Sequence, residues 1–324
     1  MVNASHSHCP TGWRLPAHNL MQLLMITLRR IFLCVPQALK PTLYDIMCKL
    51  SELSGNQYHY SGIYRLPFNL VLKVSGDLTA NEAAALHFVA SLYDIQTPIL
   101  IDHCCTARKT YLLTTWIEGD CVAEVWGQLT ATDKARLATK LREQLSHLHE
   151  QTITDVRQQP ISLASGGPII DPRVPWLADS PRIFTTSRDL FQQLWVGLGC
   201  PWNAEALQPR LQPLIERGDV PIVFCHGDIL RKNLILPGGL QKWRSGATVV
   251  CLIDWEYAGW MPLPWDALKA TWMTYGPEDE WFQTMKVVCP EADAELEADW
   301  LWRSRSRIPI VRDWQARVLR ANDV

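Results

Sequence analysis

The chain lacks a strong excess of charge of either sign, and it lacks a long hydrophobic run. Its 324 residues hold 31 Lys plus Arg against 33 Asp plus Glu, which gives a formal net charge of -2. Basic residues do not cluster on one stretch, so we expect no nucleic-acid partner. The apolar run from Leu20 to Val35 is interrupted by Arg29 and Arg30 and is too short to cross a bilayer. The sequence therefore predicts no transmembrane segment.

Cysteine pairs with the short spacings of a zinc site or a small disulfide scaffold are also missing. The ten Cys residues are scattered along the chain, a pattern that indicates reduced, buried thiols in a cytoplasmic protein. No acidic residue precedes Asp45, which leaves mitochondrial import as the alternative location. The same N-terminal stretch also has the pattern of an amphipathic helix that packs on the main body, and this is the interpretation we favour.

Several catalytic signatures are absent. The chain contains no Gly-x-Ser-x-Gly elbow, no His-Glu-x-x-His helix and no Walker loop. The sequence therefore does not predict an α/β-hydrolase, a zinc protease of that type or a P-loop NTPase. With 48% hydrophobic and 20% charged residues, the composition is typical of a globular protein. We expect a globular protein with a small-molecule partner, and no pattern indicates its oligomeric state.

The coarse pattern predicts a small lobe of strands followed by a mainly helical lobe. The stretch 63–74 reads as one strand that places Lys73 on the face opposite Leu70 and Leu72. Other predicted elements are helices over 37–53, 79–93 and 132–149, strands over 99–102, 111–117, 222–225, 233–236 and 248–253, and turns at 118–120 and 237–239. The predicted divisions are a helical extension over 1–53, a small lobe over 54–117 and a helical lobe over 118–324.

The most informative passage runs from Phe224 to Leu236. A strand delivers a loop that holds Asp228, and Asn233 begins the next strand five residues later. Asp228 can point at an incoming hydroxyl while Asn233 offers an oxygen to a hard cation, and a hairpin returns Asp254 beside Asn233. Phosphoryl transfer needs such a set: a carboxylate for the hydroxyl proton and cations that neutralise the phosphates.

This passage resembles the catalytic loop and metal-binding signature of the aminoglycoside phosphotransferase and choline kinase family. The resemblance rests on His226-Gly227-Asp228 with Asn233, followed by Ile253-Asp254-Trp255-Glu256. It implies Asp228 as the catalytic base, Asn233 and Asp254 as magnesium ligands, and ATP as the phosphate donor. The implied fold is α+β and two-lobed, like that of protein kinases: a small N-terminal lobe with an antiparallel sheet and one main helix, then a larger, mostly helical lobe.

The small lobe agrees with this resemblance. Val71-Leu72-Lys73-Val74 resembles the kinase strand whose lysine contacts the nucleotide phosphates, and Glu82 resembles the ion-pair partner of that lysine. Glu82 also fits a helix capping box that begins at Thr79, so both interpretations stay open. Two further acidic residues also have two interpretations each. Asp266 either braces the catalytic loop, as in the family, or caps a helix, and Glu256 either joins the metal site or is a solvated charge.

Two departures from the family pattern leave two hypotheses of function. The stretch from Ser61 to Pro67 before Lys73 holds a single glycine, so it offers little backbone for cradling phosphates. Arg231 and Lys232 stand where many relatives have a His-Pro pair. The first hypothesis is an ATP- and magnesium-dependent kinase that acts on a hydroxyl of a small molecule. The second is a kinase-like binding or scaffold protein with weak catalysis. The sequence does not identify the phosphate acceptor.

Overall fold

Four antiparallel strands form the sheet of the small lobe, in the order β1-β2-β4-β3. They are Ile63–Leu66 (β1), Leu70–Ser75 (β2), Leu100–Cys105 (β3) and Thr110–Thr115 (β4). The structure is a computed structural model, and it describes residues 17–55, 62–75, 78–154, 159–171, 181–195, 204–246 and 249–305. The ends of the predicted extension and helical lobe, residues 1–16 and 306–324, lie outside these ranges, as do residues 56–61 before β1.

The hairpin between β1 and β2 corrects the prediction of one strand over 63–74. Pro67 has no amide hydrogen to give to a sheet, and β1 ends immediately before it. Phe68 and Asn69 then adopt left-handed backbone conformations, with φ of 64° and 58°, which reverse the chain. Lys73 pairs with Ile63 across this hairpin, so the lysine still points away from the leucines of its strand.

Helices cover both faces of the small sheet. The outer face packs against the N-terminal helices Ala17–Cys34 (α1) and Lys40–Leu53 (α2), and the core between them includes Met25, Tyr44 and Leu72. The opposite face, which carries Lys73, packs against Leu78–Val89 (α3) through residues such as Leu86. The small lobe is thus a sheet between two helical layers.

A buried ion pair holds α2 against the sheet. Lys40 Nζ lies 2.7 Å from Oδ1 of Asp102 on β3, and the hydroxyl of Tyr44 donates a hydrogen bond to the other carboxylate oxygen. The Lys40 and Asp102 side chains are 1% and 5% exposed, so each charge depends on the other for compensation. Burial, followed by the hydrogen bond to Asp102, raises the pKa of Tyr44.

The chain enters the large lobe through a short strand. The prediction of a turn at 118–120 is wrong: Gly119–Cys121 (β5) pairs with Leu234–Pro237 (β8), which pairs in turn with Cys251–Leu252 (β9). The strand β9 lies within the stretch predicted as a strand over 248–253, but a helix that was not predicted separates it from β8. The helix Gly239–Arg244 (α8) intervenes because Leu240 and Trp243 are buried on one helical face.

A second small sheet carries the candidate catalytic loop, residues 226–233, which is called the catalytic loop below. Its strands Ser162–Leu163 (β6), Ile222–Cys225 (β7) and Gly259–Pro262 (β10) are antiparallel in the order β6-β10-β7. Helices make up most of the rest of the described large lobe: Val122–Val125 (α4), Ala131–Thr152 (α5), Ser187–Trp195 (α6), Ala204–Glu216 (α7), Trp265–Thr271 (α9), Glu280–Val288 (α10) and Asp293–Arg305 (α11).

The predicted α+β architecture, a small antiparallel-sheet lobe and a larger, mostly helical lobe, is confirmed. The chain divisions proposed at residues 53 and 117 stay predictions. None of the helices within the described ranges combines the length and apolar character needed to cross a membrane.

Candidate active site

The catalytic loop begins where the fully buried strand β7 ends. Gly227 has a φ of 77°, and a Cβ atom at this position would lie 2.3 Å from the carbonyl oxygen of Tyr257. Only glycine therefore fits this position without a backbone shift. The tight turn that results places Asp228 directly after the strand, with 10% of its side chain exposed.

Asp266, at the start of α9, braces this loop. Its two carboxylate oxygens accept hydrogen bonds from the backbone amides of His226 (3.2 Å) and Gly227 (2.8 Å). The side chain is fully buried. Burial would raise the pKa of Asp266, but the contact with His149 and the amide of Gly227 lower it below its usual value. Of the two interpretations of Asp266, the geometry favours the brace.

His226 orients the loop as a neutral ring. Its Nδ1 accepts a hydrogen bond from the backbone amide of Asp228, and its Nε2 lies 3.0 Å from the carbonyl oxygen of Ile253. These partners assign the ring hydrogen to Nε2. Burial lowers the pKa of His226, which favours this neutral form. The ring therefore connects the catalytic loop to the segment before Asp254.

The structure brings Asp228, Asn233 and Asp254 together. The Asn233 side-chain amide donates hydrogen bonds to the backbone oxygen (2.9 Å) and to Oδ2 (2.8 Å) of Asp228. The backbone oxygen of Asn233 accepts a hydrogen bond from the amide of Ile253, which places Asp254 next to it. Asp254 has a left-handed φ of 68°, a conformation that non-glycine residues adopt at a cost and that often marks functional sites.

Lys73 binds two carboxylates at once. Its ammonium group lies 2.9 and 3.0 Å from the two oxygens of Glu82 and 2.8 Å from Oδ1 of Asp254. Burial lowers the pKa of Lys73, but the charges of Glu82 and Asp254 outweigh it and raise the pKa above its usual value. Glu82 thus forms the ion pair, one of its two sequence interpretations. The side chain of Thr79, the other end of the capping box, lies outside the described residues.

Glu256 is a further carboxyl group beside this cluster. It is partly buried rather than a solvated charge. Burial, followed by the negative charge of Asp254, raises the pKa of Glu256 to about 7. Its charge therefore changes near neutral pH, next to an expected magnesium ligand.

Sequence reasoning missed Asn81, which joins α3 to the large lobe. Its Nδ2 donates to the backbone oxygens of Glu256 (2.8 Å) and Ala258 (2.9 Å), and its Oδ1 accepts from the amide of Ser165. The side chain is almost completely buried. A polar amide within the apolar, Ala-rich stretch after Thr79 was the available signal, because such a group needs partners when buried.

The braced loop, the lysine and glutamate pair, and the aspartate that meets them in the cleft define a phosphotransferase of the kinase type. The pattern described as the phosphotransferase enzyme family, APH, matches residues 70–308. Because this match covers well over half of the chain, the chain belongs to that family. The prediction of a small-molecule kinase related to the aminoglycoside phosphotransferases is confirmed.

Solved structures of several kinases resemble the chain at low sequence identity. An aminoglycoside-3'-phosphotransferase of type VIII is 21% identical, with a TM-score of 0.46, over 76% of this chain and 90% of that one. An aminoglycoside phosphotransferase from Streptomyces rimosus, in complex with ADP and streptomycin, is 17% identical, with a TM-score of 0.43, over 82% and 98%. A Haemophilus somnus protein assigned as a fructosamine-3-kinase is 13% identical, with a TM-score of 0.46, over 80% and 87%. No curated protein matches the sequence.

Proposed function

We propose that the protein transfers the γ-phosphoryl group of ATP to a hydroxyl of a small molecule, with magnesium as the cofactor. The observation that carries this proposal is the convergence of Asp228, Asn233 and Asp254. Asn233 binds Asp228 through its side chain and binds the segment before Asp254 through its backbone. A base for a hydroxyl proton and two oxygen ligands for a cation therefore lie in one cleft.

Asn233 and Asp254 fit a magnesium ion. The amide nitrogen of Asn233 is directed at Asp228, so the amide oxygen Oδ1 is the atom left to act as a ligand. Lys73 occupies Oδ1 of Asp254, and the carboxylate retains a second oxygen. Oxygen ligands of this kind suit hard divalent cations. Magnesium bound there would neutralise charge on the phosphate oxygens.

Each residue of the site has a role in the transfer. Asp228 accepts the proton of the acceptor hydroxyl while the hydroxyl oxygen forms a bond to the γ-phosphorus. The bond from that phosphorus to the bridging oxygen breaks, and ADP leaves with its electron pair. Lys73, held by Glu82, contacts the nucleotide phosphates. Asp266 and His226 keep the loop in place so that Asp228 stays aligned.

The test compares Asp228→Ala and Asp254→Ala with the wild-type protein. Magnesium-dependent ATP turnover is measured against a panel of metabolites that carry hydroxyl groups. Both variants should lose most of the turnover, whereas Asp219→Ala, which removes an exposed carboxylate, should retain it. Turnover at the wild-type rate in both site variants would refute the assignment. ATP binding by wild-type protein without turnover of any acceptor would favour the kinase-like binding protein instead.

A further inference from the structure

Two neighbouring cations of the catalytic loop point in different directions. The guanidinium of Arg231 lies 4.9 Å from the ring centre of Trp126, a residue that follows α4. The ammonium group of Lys232 lies 3.5 Å from Oδ2 of Asp228. Arg231 therefore packs against the wall of the large lobe, and Lys232 faces the site of proton transfer.

The backbone beneath Lys232 is held in place. Residues Arg231–Asn233 form a single 3-10 turn, and the Cys121 thiol lies 3.7 Å from the carbonyl oxygen of Arg231 and 3.4 Å from that of Lys232. The Lys232 side chain itself is 60% exposed. Because the lysine side chain is flexible and its backbone is held in place, the ammonium group can contact a ligand in the cleft and remain close to Asp228.

The charges of the site favour a second cation. Glu82, Asp228, Asp254 and Glu256 place four carboxyl groups around the cleft, and Lys73 is already bound to two of them. A triphosphate adds further negative charge. The stretch from Ser61 to Pro67 holds one glycine, so its backbone has little of the conformational freedom that turns amides towards a phosphate.

Lys232 acts on this cluster beyond Asp228. The positive charge of Lys232 acts on Asp254 in the same direction as the charge of Lys73. The ammonium group therefore lies within electrostatic reach of both the expected base and an expected magnesium ligand. The transferred phosphoryl group must pass between these two residues.

We propose that Lys232 is a catalytic residue whose ammonium group contacts the oxygens of the phosphoryl group during its transfer. This inference rests on the proposed function. When nucleotide binds, the ammonium group exchanges Oδ2 of Asp228 for a phosphoryl oxygen, and Asp228 is left to accept the hydroxyl proton. Lys232 forms no covalent bond and exchanges no proton. Its charge stabilises the negative charge that the three phosphoryl oxygens share in the transition state.

The test uses aluminium fluoride as the substitute for the transferred phosphoryl group. Calorimetry measures the affinity for magnesium and ADP, first alone and then with aluminium fluoride, for wild-type protein, Lys232→Met, Lys232→Arg and the matched control Arg231→Met. The quantity compared is the increase in affinity that aluminium fluoride adds to each protein's own affinity for magnesium and ADP, so a change in that starting affinity does not enter the comparison. In Lys232→Met, aluminium fluoride should increase this affinity about 10²-fold less than it does in the wild type. The reason is that the variant lacks one preorganised partner of the developing negative charge. Lys232→Arg should keep most of the increase, and Arg231→Met all of it.

The outcomes separate this inference from the proposed function. If aluminium fluoride increases the affinity of Lys232→Met as much as that of the wild type, Lys232 only neutralises Asp228. That result would overturn its catalytic role. Equal losses in Lys232→Met and Arg231→Met would also overturn it, because the effect would then follow net charge rather than position. A wild-type protein that does not bind magnesium and ADP would overturn the proposed function itself.

Discussion

The ammonium group of Lys73 lies 2.8 Å from Oδ1 of Asp254, and this ion pair joins the sheet of the small lobe to the segment that follows β9 in the large lobe. Glu82 shares the same ammonium group from α3. Two consecutive elements, β2 and α3, and a segment far along the chain therefore meet at one cation. In the proposed function, the nucleotide phosphates compete with Asp254 for that cation, so we expect nucleotide binding and the separation of this pair to be coupled.

Removal of Lys73 should destabilise the protein. Glu82 is 3% exposed, and Lys73→Met leaves its carboxylate without compensation, which costs about 3 to 5 kcal/mol for a buried pair. Adding Glu82→Gln should recover part of this loss. Urea unfolding of the wild type, both single variants and the double variant measures the effect. A double variant less stable than Lys73→Met would contradict the explanation.

Asn81→Ala should lower the free energy of unfolding by about 3 kcal/mol. The substitution removes this partner from the carbonyl of Glu256 and the amide of Ser165, whereas the carbonyl of Ala258 keeps the amide of Ala164. Buried polar groups without partners cost about 1 to 3 kcal/mol each. Gln212→Ala is the control, because its amide bonds to an exposed carboxylate and its loss should cost little. Urea unfolding at one pH compares them. Similar losses in both variants would show that Asn81 does not link the lobes energetically.

Asp266 should make the protein sensitive to acid. A carboxyl group whose pKa is lower in the folded than in the unfolded state stabilises the fold above its unfolded pKa, about 3.9, and this contribution is lost as pH falls through the folded pKa. Asp266→Asn should be less stable at neutral pH and should lose less further stability below about pH 4. Urea unfolding across this pH range gives the slope of the free energy of unfolding against pH for the wild type and for Asp266→Asn. Parallel slopes would exclude Asp266 as the source of the sensitivity to acid.

Magnesium affinity should depend on pH through Glu256. Because burial raises the pKa of Glu256 to about 7, the carboxyl group is mostly protonated below this pH and negatively charged above it. The affinity of the ADP-bound protein for magnesium should therefore rise from about pH 6 to about pH 8. Glu256→Gln removes the titration of the Glu256 carboxyl group but not that of ADP. The difference between the pH profiles of the two proteins therefore measures the contribution of Glu256. Identical pH profiles in magnesium titrations would disprove the role of Glu256.

The residues that the sequence predicted for the site are those fixed by local spacing. Asp228 and Asn233 share one loop between short, strongly apolar strands, so they lie close together. Asp254 reaches them because β9 pairs antiparallel with β8. Lys73 could be oriented in advance because side chains alternate along a strand. The functional roles of these residues stay proposals until the variants are measured.

The contacts that the sequence did not reveal are those made between distant segments. Nothing near Asn81 in the chain indicates that its partners lie at 165, 256 and 258. The hairpin at Pro67 was missed because apolar residues continue on both sides of it, and α8 was missed because its six residues are too short for a helical period to stand out. The pairing of Lys40 with Asp102 likewise depends on how α2 packs against β3.

The two-sided covering of the small sheet has a mechanical consequence. The Lys40 and Asp102 pair holds α2 to one face, and α3 packs on the other. Any swing of the sheet that widens or narrows the cleft must carry the N-terminal helices along as part of the same rigid body.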